Sequence, residues 1–305
     1  MIQSRSWLLF CSLLVIIHSV IDHKLKCAKG KFKVGNMTEC LPYLSCADFQ
    51  DIRILKLIGY GAVKWVFLAS WNDVSIAVSS LKNPLYFDDF HAGLKVMKQL
   101  NPSRYVNQLV GYCEQENVYA TEYQQMNNAN ILKYILGDLN RTVPLSKKLC
   151  INYIEILKFI HNSPIGMRLN CDSNSIEKIL SQLLVTDELN LVLNDVDALP
   201  ELNANFSITC GRNISLTSAP LSPPELIDVS SKAFTLGYTD KSDVWKVPDV
   251  CNYLFTLENL SALRYTLFSI NKRCKNRDPF ERPSSSELFD LYRELLMCSK
   301  SDMCK

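Results

Sequence analysis

The sequence has little net charge, no repetitive stretch and few histidines, and each shortage removes a class of protein from consideration. The formal net charge is +2 over 305 residues, so a surface that binds nucleic acid is not indicated. Neither internal repeats nor low-complexity segments are evident, and 48% of the residues are hydrophobic, which excludes a disordered chain. The four histidines form no pair near the cysteines, so a common zinc site is not expected. One or two globular domains remain.

Long hydrophobic runs are also scarce, because only Trp7–Ile21 is apolar over most of its length. A membrane-spanning helix needs roughly 20 apolar residues, so this run is short for a span but long enough for the core of a signal peptide. No small-x-small cleavage site is clear, and an uncleaved anchor with a cytosolic N terminus fits equally well. Either alternative delivers the rest of the chain to the secretory lumen. The lack of a second apolar run argues against a receptor-like module.

Sequons and cysteines agree with a lumenal location. Chance gives about one or two N-x-S/T sequons in a chain of this length. This chain has five, at Asn36, Asn140, Asn205, Asn213 and Asn259. Eleven of the twelve cysteines follow the apolar run, and Cys27, Cys40 and Cys46 crowd directly after it, which predicts a disulfide-bonded entry segment. The odd number leaves at least one thiol free or paired between chains, and the connectivity stays open.

The clearest chemistry lies in Leu57–Phe67, which reads as a strand, a tight glycine turn and a second strand. Protein kinases carry Gly-x-Gly-x-x-Gly-x-Val at such a turn, so that the backbone can approach the phosphates of ATP. Gly59, Gly61 and Val66 occupy matching positions, and Lys64 stands at the position of the third glycine. We therefore expect Gly59, Gly61 and Val66 to contact a nucleotide.

The lysine that binds the phosphates in kinases is missing from the next strand. In kinases it closes a Val-Ala-Ile-Lys sequence, whereas this chain has Ile76-Ala77-Val78-Ser79. Because side chains alternate along a strand, Lys64 shares the face of Val66 and leans toward the nucleotide. The simplest explanation is that the phosphate-binding charge has moved to Lys64, while Ala77 lines the nucleotide site. A surface lysine on a degenerate hairpin is the alternative.

The elements that follow have the order of a kinase N-lobe, which is three strands, one helix and two strands. The predicted ranges are Ile52–Ile58, Lys64–Ser70, Val74–Ser80, Asp88–Leu100, Tyr105–Tyr112 and Val118–Tyr123. The helix is predicted from Phe90, Leu94 and Met97, which fall on one face. Glu122 lies where the connection between two lobes is expected, and its backbone is predicted to bind adenine.

The predicted helix lacks the glutamate that pairs with the phosphate-binding lysine in kinases. From the periodicity of the helix, the equivalent position is Gly93, which has no side chain. Asp89 lies one helical turn earlier on the same face, and it is our candidate partner for Lys64 at the cofactor site. The alternative is that Asp88 and Asp89 only complement the helix dipole.

Two aspartates downstream follow a predicted buried helix at Leu149–His161. Phosphoryl transfer needs one carboxylate to orient the attacking hydroxyl and another to hold the metal. Asp172 is the predicted catalytic base and Asp195 the predicted ligand of Mg²⁺ or Mn²⁺, because both occur in kinase order. The segments between them, Ile176–Val185 and Leu189–Leu193, read as strand or turn. An Asx turn and a loop acid are the alternatives for the two aspartates.

The second metal ligand has two candidates. Kinases place an asparagine five residues after the catalytic aspartate, where this chain has Glu177. Either Glu177 binds the metal, or Asn174 does so from a reshaped loop, and we assign Asn174.

The C-terminal part gives an independent check on the fold. Pro223-Pro224-Glu225 stands where kinases have Ala-Pro-Glu, Asp243-Val244-Trp245 matches the start of a central helix, and Arg282 follows late in the chain. A buried Glu225–Arg282 ion pair is predicted. The fold class is thus α+β, a bilobal kinase-like fold with a β-rich N-lobe and a mainly α C-lobe. The expected divisions are a cytosolic tail and membrane anchor (1–26), a cysteine-bearing cap (27–50), the N-lobe (51–124) and the C-lobe (125–305).

Taken together, the motifs resemble the protein O-mannose kinase family from about Cys27 to the final helix. The resemblance is carried by Gly59–Phe67, Leu109–Glu114, Cys171–Asn174, Asn194–Pro200 and Trp245–Val250. It implies transfer of phosphate from ATP, with Mg²⁺ or Mn²⁺, to the 6-hydroxyl of mannose. The acceptor would be an N-acetylgalactosamine–N-acetylglucosamine–mannose trisaccharide O-linked to a glycoprotein, typically dystroglycan. It also implies a type II single-pass protein of the endoplasmic reticulum membrane with a lumenal catalytic domain, and we expect a monomer.

The sequence departs from the family at Trp65, where the resemblance implies a basic residue. Three catalytic groups that are usual in protein kinases are also missing: the lysine at position 79, the helix glutamate and the catalytic-loop asparagine. A lumenal pseudokinase that binds glycan or a partner protein is therefore the alternative function. The presence of both Asp172 and Asp195 favours an active enzyme, because an inactive site has no physical need for either.

Overall fold

The computed structural model describes residues 27–138, 145–202, 210, 221–227, 237–257 and 262–297. The predicted membrane anchor, Trp7–Ile21, lies outside these residues, as do the sequons at Asn140, Asn205, Asn213 and Asn259. Within the described ranges, no helix is both long enough and apolar enough to cross a membrane.

A short hairpin opens the described chain. Its strands are β1 (Lys31–Phe32) and β2 (Leu41–Pro42). A disulfide joins Cys27 to Cys40 within this segment, and a second one joins Cys46 to Cys113 in the sheet below. The predicted disulfide-bonded entry segment is thus confirmed, with pairings that the sequence left open.

A five-stranded antiparallel sheet forms the N-lobe, with the strand order β3-β4-β5-β7-β6. The strands are β3 (Arg53–Tyr60), β4 (Lys64–Trp71), β5 (Val74–Leu81), β6 (Leu109–Cys113) and β7 (Val118–Glu122). Alternation along β5 turns Ile76 and Val78 toward a small core that contains Phe32 of the cap. The same alternation turns Ala77 and Ser79 to the opposite face, where the candidate site lies.

Helix α1 (Phe87–Leu100) is the one helix inserted among these strands. Phe90, Leu94 and Met97 are buried on one face, as their spacing predicts. Two aspartates in its first turn complement the helix dipole. The buried face joins the main hydrophobic core, which continues into the C-lobe.

Helices make up most of the C-lobe. They are α2 (Leu132–Asp138), α3 (Leu145–His161), α4 (Ile176–Ser181), α5 (Pro224–Ile227), α6 (Asp240–Leu257), α7 (Ala262–Thr266), α8 (Phe268–Cys274) and α9 (Ser285–Met297). The strands β8 (Leu183–Val185) and β9 (Leu191–Leu193) form a hairpin. A buried disulfide, Cys150–Cys251, joins α3 to α6. Among the described cysteines, Cys274 is a buried free thiol.

One sequence-based assignment is wrong in part. Residues 176–181 form helix α4, although Ile176–Val185 reads as strand or turn from its sequence. The side chain of Ser175 accepts a hydrogen bond from the Lys178 N–H, which caps the helix and satisfies one of its free donors. The capping residue, rather than the apolar pattern, decides the local structure here.

The lobes are joined by backbone pairing beside the interlobe connection. The N–H of Leu193 donates to the Tyr105 carbonyl, and the N–H of Asn107 donates to the Leu193 carbonyl, both at 2.8 Å. Residues 105–108, which the sequence assigns to a sheet strand, therefore pair with β9 before β6 begins. This pairing fixes the start of the 194–197 loop relative to the sheet.

The predicted ion pair between Glu225 and Arg282 is confirmed. Arg282 Nη1 and Nη2 donate to the two carboxylate oxygens of Glu225, each at 2.7 Å. The two side chains are 0% and 1% exposed. Ser242 Oγ also donates to Glu225, at 3.1 Å, so the carboxylate is further satisfied by α6.

We predict that Glu225→Gln lowers the free energy of unfolding by about 3–5 kcal/mol, because it leaves the guanidinium of Arg282 buried without its counter-charge. The matched control is Glu287→Gln. It removes the partner of Arg273 in a pair that is 47% exposed on both sides, and it should cost less than about 1 kcal/mol. Urea unfolding followed by circular dichroism compares them, and equal losses would contradict the assignment.

Candidate active site

Lys64 begins β4 and is buried, with 9% of its surface exposed. The strand register pairs Lys64 with Leu81 and Val66 with Ser79. Directly opposed residues share a face of the sheet, so Lys64, Val66 and Ser79 lie together, with Ala77 further along the same face. A lysine at position 64 therefore reaches the region that a lysine at position 79 would serve.

The ammonium group of Lys64 lies between two aspartates of the loop that follows β9. Its Nζ donates to Asp195 Oδ1 at 2.6 Å and to Asp197 Oδ2 at 3.3 Å. The side chains of Lys64 and Asp197 are 11% and 13% exposed, so solvent screens their attraction weakly. Two predicted site residues, Lys64 and Asp195, are thus brought together, although the predicted partner of Lys64 is Asp89. Asp197 is a third member that sequence reasoning missed.

These three groups shift one another's pKa. Burial acts to lower the pKa of Lys64, but the carboxylates of Asp195 and Asp197 outweigh it and hold that pKa well above its usual value. Burial acts to raise the pKa of Asp195, and Lys64 outweighs it, so Asp195 stays ionised. The pKa of Asp197 rises to about 6, because of burial first and then repulsion from Asp195, which Lys64 only partly offsets.

Asp197 approaches α1 at the position where kinases carry their glutamate. A Cβ atom on Gly93 would lie 2.9 Å from Asp197 Cβ and 3.0 Å from Asp197 Cα, closer than such contacts allow. Glycine is unfavourable inside a helix, so a glycine on the buried face was the one sequence signal of this close approach. Asp89 lies half-buried in the first turn of α1, and its pairing with Lys64 stays a prediction.

The predicted base, Asp172, is partly accessible, with 31% of its side chain exposed. Its Oδ2 lies 2.7 Å from Lys178 Nζ and accepts a longer hydrogen bond, 3.4 Å, from Gln182 Nε2. Lys178 also contributes to lowering the pKa of Asp195. Sequence reasoning did not identify Lys178 or Gln182, because it did not recognise α4.

The donors near Lys64 suit a hard divalent cation. Asp195 and Asp197 supply two carboxylates against one ammonium, and Mg²⁺ is commonly held by one or two carboxylates together with substrate phosphates. Asn174 is half-buried just before α4, whereas Glu177 is exposed in its first turn. In the residues that the structure covers, no three His, Cys, Asp or Glu side chains are grouped as metal ligands. The assignment of Asn174 stays a prediction.

The backbone of the glycine turn is bound by the side chain of Lys82. Lys82 Nζ donates to the Gly61 carbonyl at 3.0 Å and lies 4.6 Å from the centre of the Trp65 ring. Trp65 also packs against Tyr60. Lys82 thus supplies a cation beside the indole, at the place where the family resemblance implies a basic residue.

The glycines of the turn are not required by packing within the chain. A Cβ on Gly61 would meet nothing within 4 Å, and one on Gly59 would make an ordinary 3.8 Å contact with Val66. Neither glycine is among the residues with positive φ. The free space above the turn is therefore available to a ligand.

The interlobe connection is organised by Asn107, which is buried. Its Nδ2 donates to the Glu122 carbonyl at 3.0 Å and to Asn194 Oδ1 at 3.2 Å, so it joins the predicted adenine-binding segment to the residue before Asp195. A polar cavity of about 310 Å³ lies on this side of the molecule. Of the predicted site residues only Glu122 lines it, so the cavity does not coincide with the Lys64 cluster.

We predict that Gly93→Ala destabilises the protein in the absence of nucleotide by about 1–3 kcal/mol, because the new methyl group meets the backbone of Asp197. The better helix propensity of alanine offsets only about 0.5–1 kcal/mol of this. The control is Gly61→Ala, whose new methyl group enters open space. Thermal unfolding measures both, and a stabilised Gly93→Ala protein would show that Asp197 does not pack here.

Several known proteins are similar to this chain over most of its length. No protein-family model matches the chain. Protein O-mannose kinase of Gallus gallus is 37% identical over 290 residues, which cover 88% of this chain and 80% of that protein. The human protein of the same name is 34% identical over 290 residues, with the same coverage. The Xenopus laevis protein is 35% identical over 298 residues, covering 91% of this chain and 82% of that protein. At this identity and coverage, the chain belongs to the protein O-mannose kinase family.

Proposed function

We propose that this chain transfers the γ-phosphoryl group of ATP to the 6-hydroxyl of mannose. The acceptor is the N-acetylgalactosamine–N-acetylglucosamine–mannose trisaccharide O-linked to a glycoprotein of the dystroglycan type. The observation that carries the proposal is the buried Lys64 between Asp195 and Asp197, on the nucleotide face of the sheet and next to an open glycine turn. The relatives' name supports mannose as the acceptor, and the trisaccharide rests on the family resemblance of the sequence.

ATP binding is assigned to the face of the sheet that carries Lys64. Val66 and Ala77 lie on this face and would contact the adenine, while the backbone of Glu122 would bind its edge. The Glu122 carbonyl accepts a hydrogen bond from Asn107 in the structure. Lys64 would bind the phosphates as a point charge. The space above Gly59 and Gly61 would admit them close to the backbone.

Asp195 and Asn174 are the proposed ligands of Mg²⁺ or Mn²⁺. Bound there, the metal would neutralise charge on the phosphate oxygens. Asp197 adds a second carboxylate near the same place, and its pKa rises to about 6, first because of burial and then because of repulsion from Asp195. Lys64 contacts both carboxylates in the structure, so binding of nucleotide and metal would require it to share or exchange these contacts.

Asp172 is the proposed base. The mannose 6-oxygen would attack the γ-phosphorus while the bond from that phosphorus to the β,γ-bridging oxygen breaks. The hydroxyl proton would pass to the Asp172 carboxylate, and ADP would leave. Lys178, at 2.7 Å from Asp172, would orient this carboxylate until the acceptor hydroxyl arrives.

The second candidate function is a lumenal pseudokinase that binds glycan without turnover. The ion pair between Lys178 and Asp172 favours it, because a paired carboxylate is less available as a base. The location that we propose for either function is the lumen of the endoplasmic reticulum, with Trp7–Ile21 as a type II anchor and the catalytic domain as a monomer. The support for this is the apolar run, the sequons and the four disulfides.

We predict that Lys64→Met reduces kcat for phosphate transfer at least about 100-fold, because the phosphates lose their buried counter-charge. The full chain, labelled ATP, Mg²⁺ and the trisaccharide form the assay. Lys98→Met is the control, since Lys98 pairs with Glu114 on the surface, and it should stay within about twofold of the wild type. Full activity of Lys64→Met would refute the relocated lysine, and an inactive but folded wild-type protein would favour the pseudokinase.

We also predict that removal of divalent metal with a chelator abolishes transfer, and that Mg²⁺ or Mn²⁺ restores it. Asp195→Asn should raise the metal concentration for half-maximal activity by about tenfold or more, because a carboxylate ligand becomes a neutral amide. Asp187→Asn, in the turn between β8 and β9, is the matched control and should leave this concentration unchanged. An unaltered metal requirement in Asp195→Asn would exclude Asp195 as a ligand.

A further inference from the structure

A lysine is buried beneath the loop that carries Asp172. Lys246 of α6 is 3% exposed, and its Nζ donates to Ser173 Oγ and to the Tyr238 hydroxyl, each at 2.5 Å. The ammonium group also lies 4.6 Å from the centre of the Tyr238 ring. Lys246 is not one of the predicted site residues, and it has no role in the phosphoryl transfer proposed above.

The hydroxyls that Lys246 contacts are themselves bound to the backbone of the loop. Ser173 Oγ donates to the Asn170 carbonyl, and the Tyr238 hydroxyl lies 2.9 Å from the same oxygen. Asp243 Oδ2 accepts from the Asn170 N–H at 3.0 Å, and Asp243 Oδ1 lies 2.5 Å from the Tyr238 hydroxyl. Both neighbours of Asp172 are thus held in place. Ser173 is hydrogen-bonded to Lys246 of α6, and Cys171 forms a disulfide with Cys210.

Burying an ammonium group is expensive, and stability alone does not explain this one. Desolvation of a charge costs several kcal/mol, whereas an apolar side chain of similar length fills such a place at no electrostatic cost. The direct partners of the Lys246 ammonium are two hydroxyls rather than a carboxylate. Burial lowers the pKa of Lys246 to about 8, although Asp243 and Glu225, and more weakly Asp172, act to raise it.

We infer that Lys246 is a positioning residue for the base, acting through the Ser173 hydroxyl to fix where the Asp172 carboxylate lies. Ser173 is adjacent to Asp172, and its hydroxyl has its donor direction set by the Asn170 carbonyl and its acceptor direction set by Lys246. With both directions fixed, the backbone at 172–173 has one favoured arrangement. Without Lys246, Ser173 keeps only the contact to Asn170 and a 3.1 Å contact to Tyr238.

The inference rests on the proposed function of Asp172, and a double-mutant cycle on kcat tests it in the full chain. Lys246→Met keeps the length of the side chain and removes the ammonium group, and Ser173→Ala removes its partner oxygen. Each should lower kcat about 10- to 100-fold, since a displacement of about 1 Å can cost that much, while KM for ATP stays within about twofold. The double variant should be no worse than the poorer single variant by more than about twofold.

Two controls separate positioning from a general loss of structure. Lys241→Met lies on the same helix, where Lys241 bonds to the Arg282 carbonyl and not to the loop, and it should leave kcat within about twofold. The second control is a measurement, the amide hydrogen exchange of residues 170–174, which does not depend on catalytic activity. Exchange there should become faster in Lys246→Met and in Ser173→Ala, and stay unchanged in Lys241→Met.

The outcomes are distinct. Multiplicative losses of kcat in the double variant would overturn the inference, because Lys246 and Ser173 would then act independently. Unchanged exchange at 170–174 in both single variants would also overturn it. If Lys246→Met does not fold, Ser173→Ala is measured alone, and an unchanged kcat or unchanged exchange at 170–174 in this variant would overturn the inference. If the wild type has no transfer activity, the proposed function fails, while the exchange data still show whether Lys246 holds the loop.

Discussion

The arrangement of the site depends on one contact between its two parts, the ion pairs of Lys64 with Asp195 and Asp197. Lys64 belongs to the sheet, whereas the aspartates belong to the loop that follows β9, so the contact joins elements 131 residues apart in the chain. Its three charges sum to one negative charge in a place with little solvent. A further cation beside the two carboxylates would offset this excess of negative charge.

The departures from the usual kinase pattern form one connected set. A lysine at 64 and a serine at 79 keep a single cation on the same face of the sheet. A carboxylate at 197, where kinases have glycine, is matched by a glycine at 93, where kinases have glutamate. The Cβ distances show why these two changes go together: Asp197 occupies the space that a side chain at 93 would need. Each change alone would look like a lost catalytic group, but together they keep a lysine beside acids.

The C-lobe holds the loop that carries Asp172 through a series of buried polar contacts. Glu225 and Arg282 bind each other with two hydrogen bonds, and Ser242 joins them to the start of α6. That helix carries Asp243 and Lys246, which bind the loop on either side of Asp172. The loop around Asp172 is thus connected through α6 to the buried pair of Glu225 and Arg282.

The sequence by itself determined the order of strands and helix in the N-lobe, the face on which Lys64 lies, and the Glu225–Arg282 pair. The first two follow from side-chain periodicity, which is local, and the third from motifs that occur in a known order. The sequence also carried the family resemblance, which the relatives' identity and coverage agree with. Only the tertiary structure decided which cysteines pair and that residues 176–181 are helical. It also decided that Asp197 is a partner of Lys64 and that Lys246 lies under Ser173. These depend on through-space contacts between distant segments, and neither periodicity nor spacing along one chain specifies which distant side chains will meet.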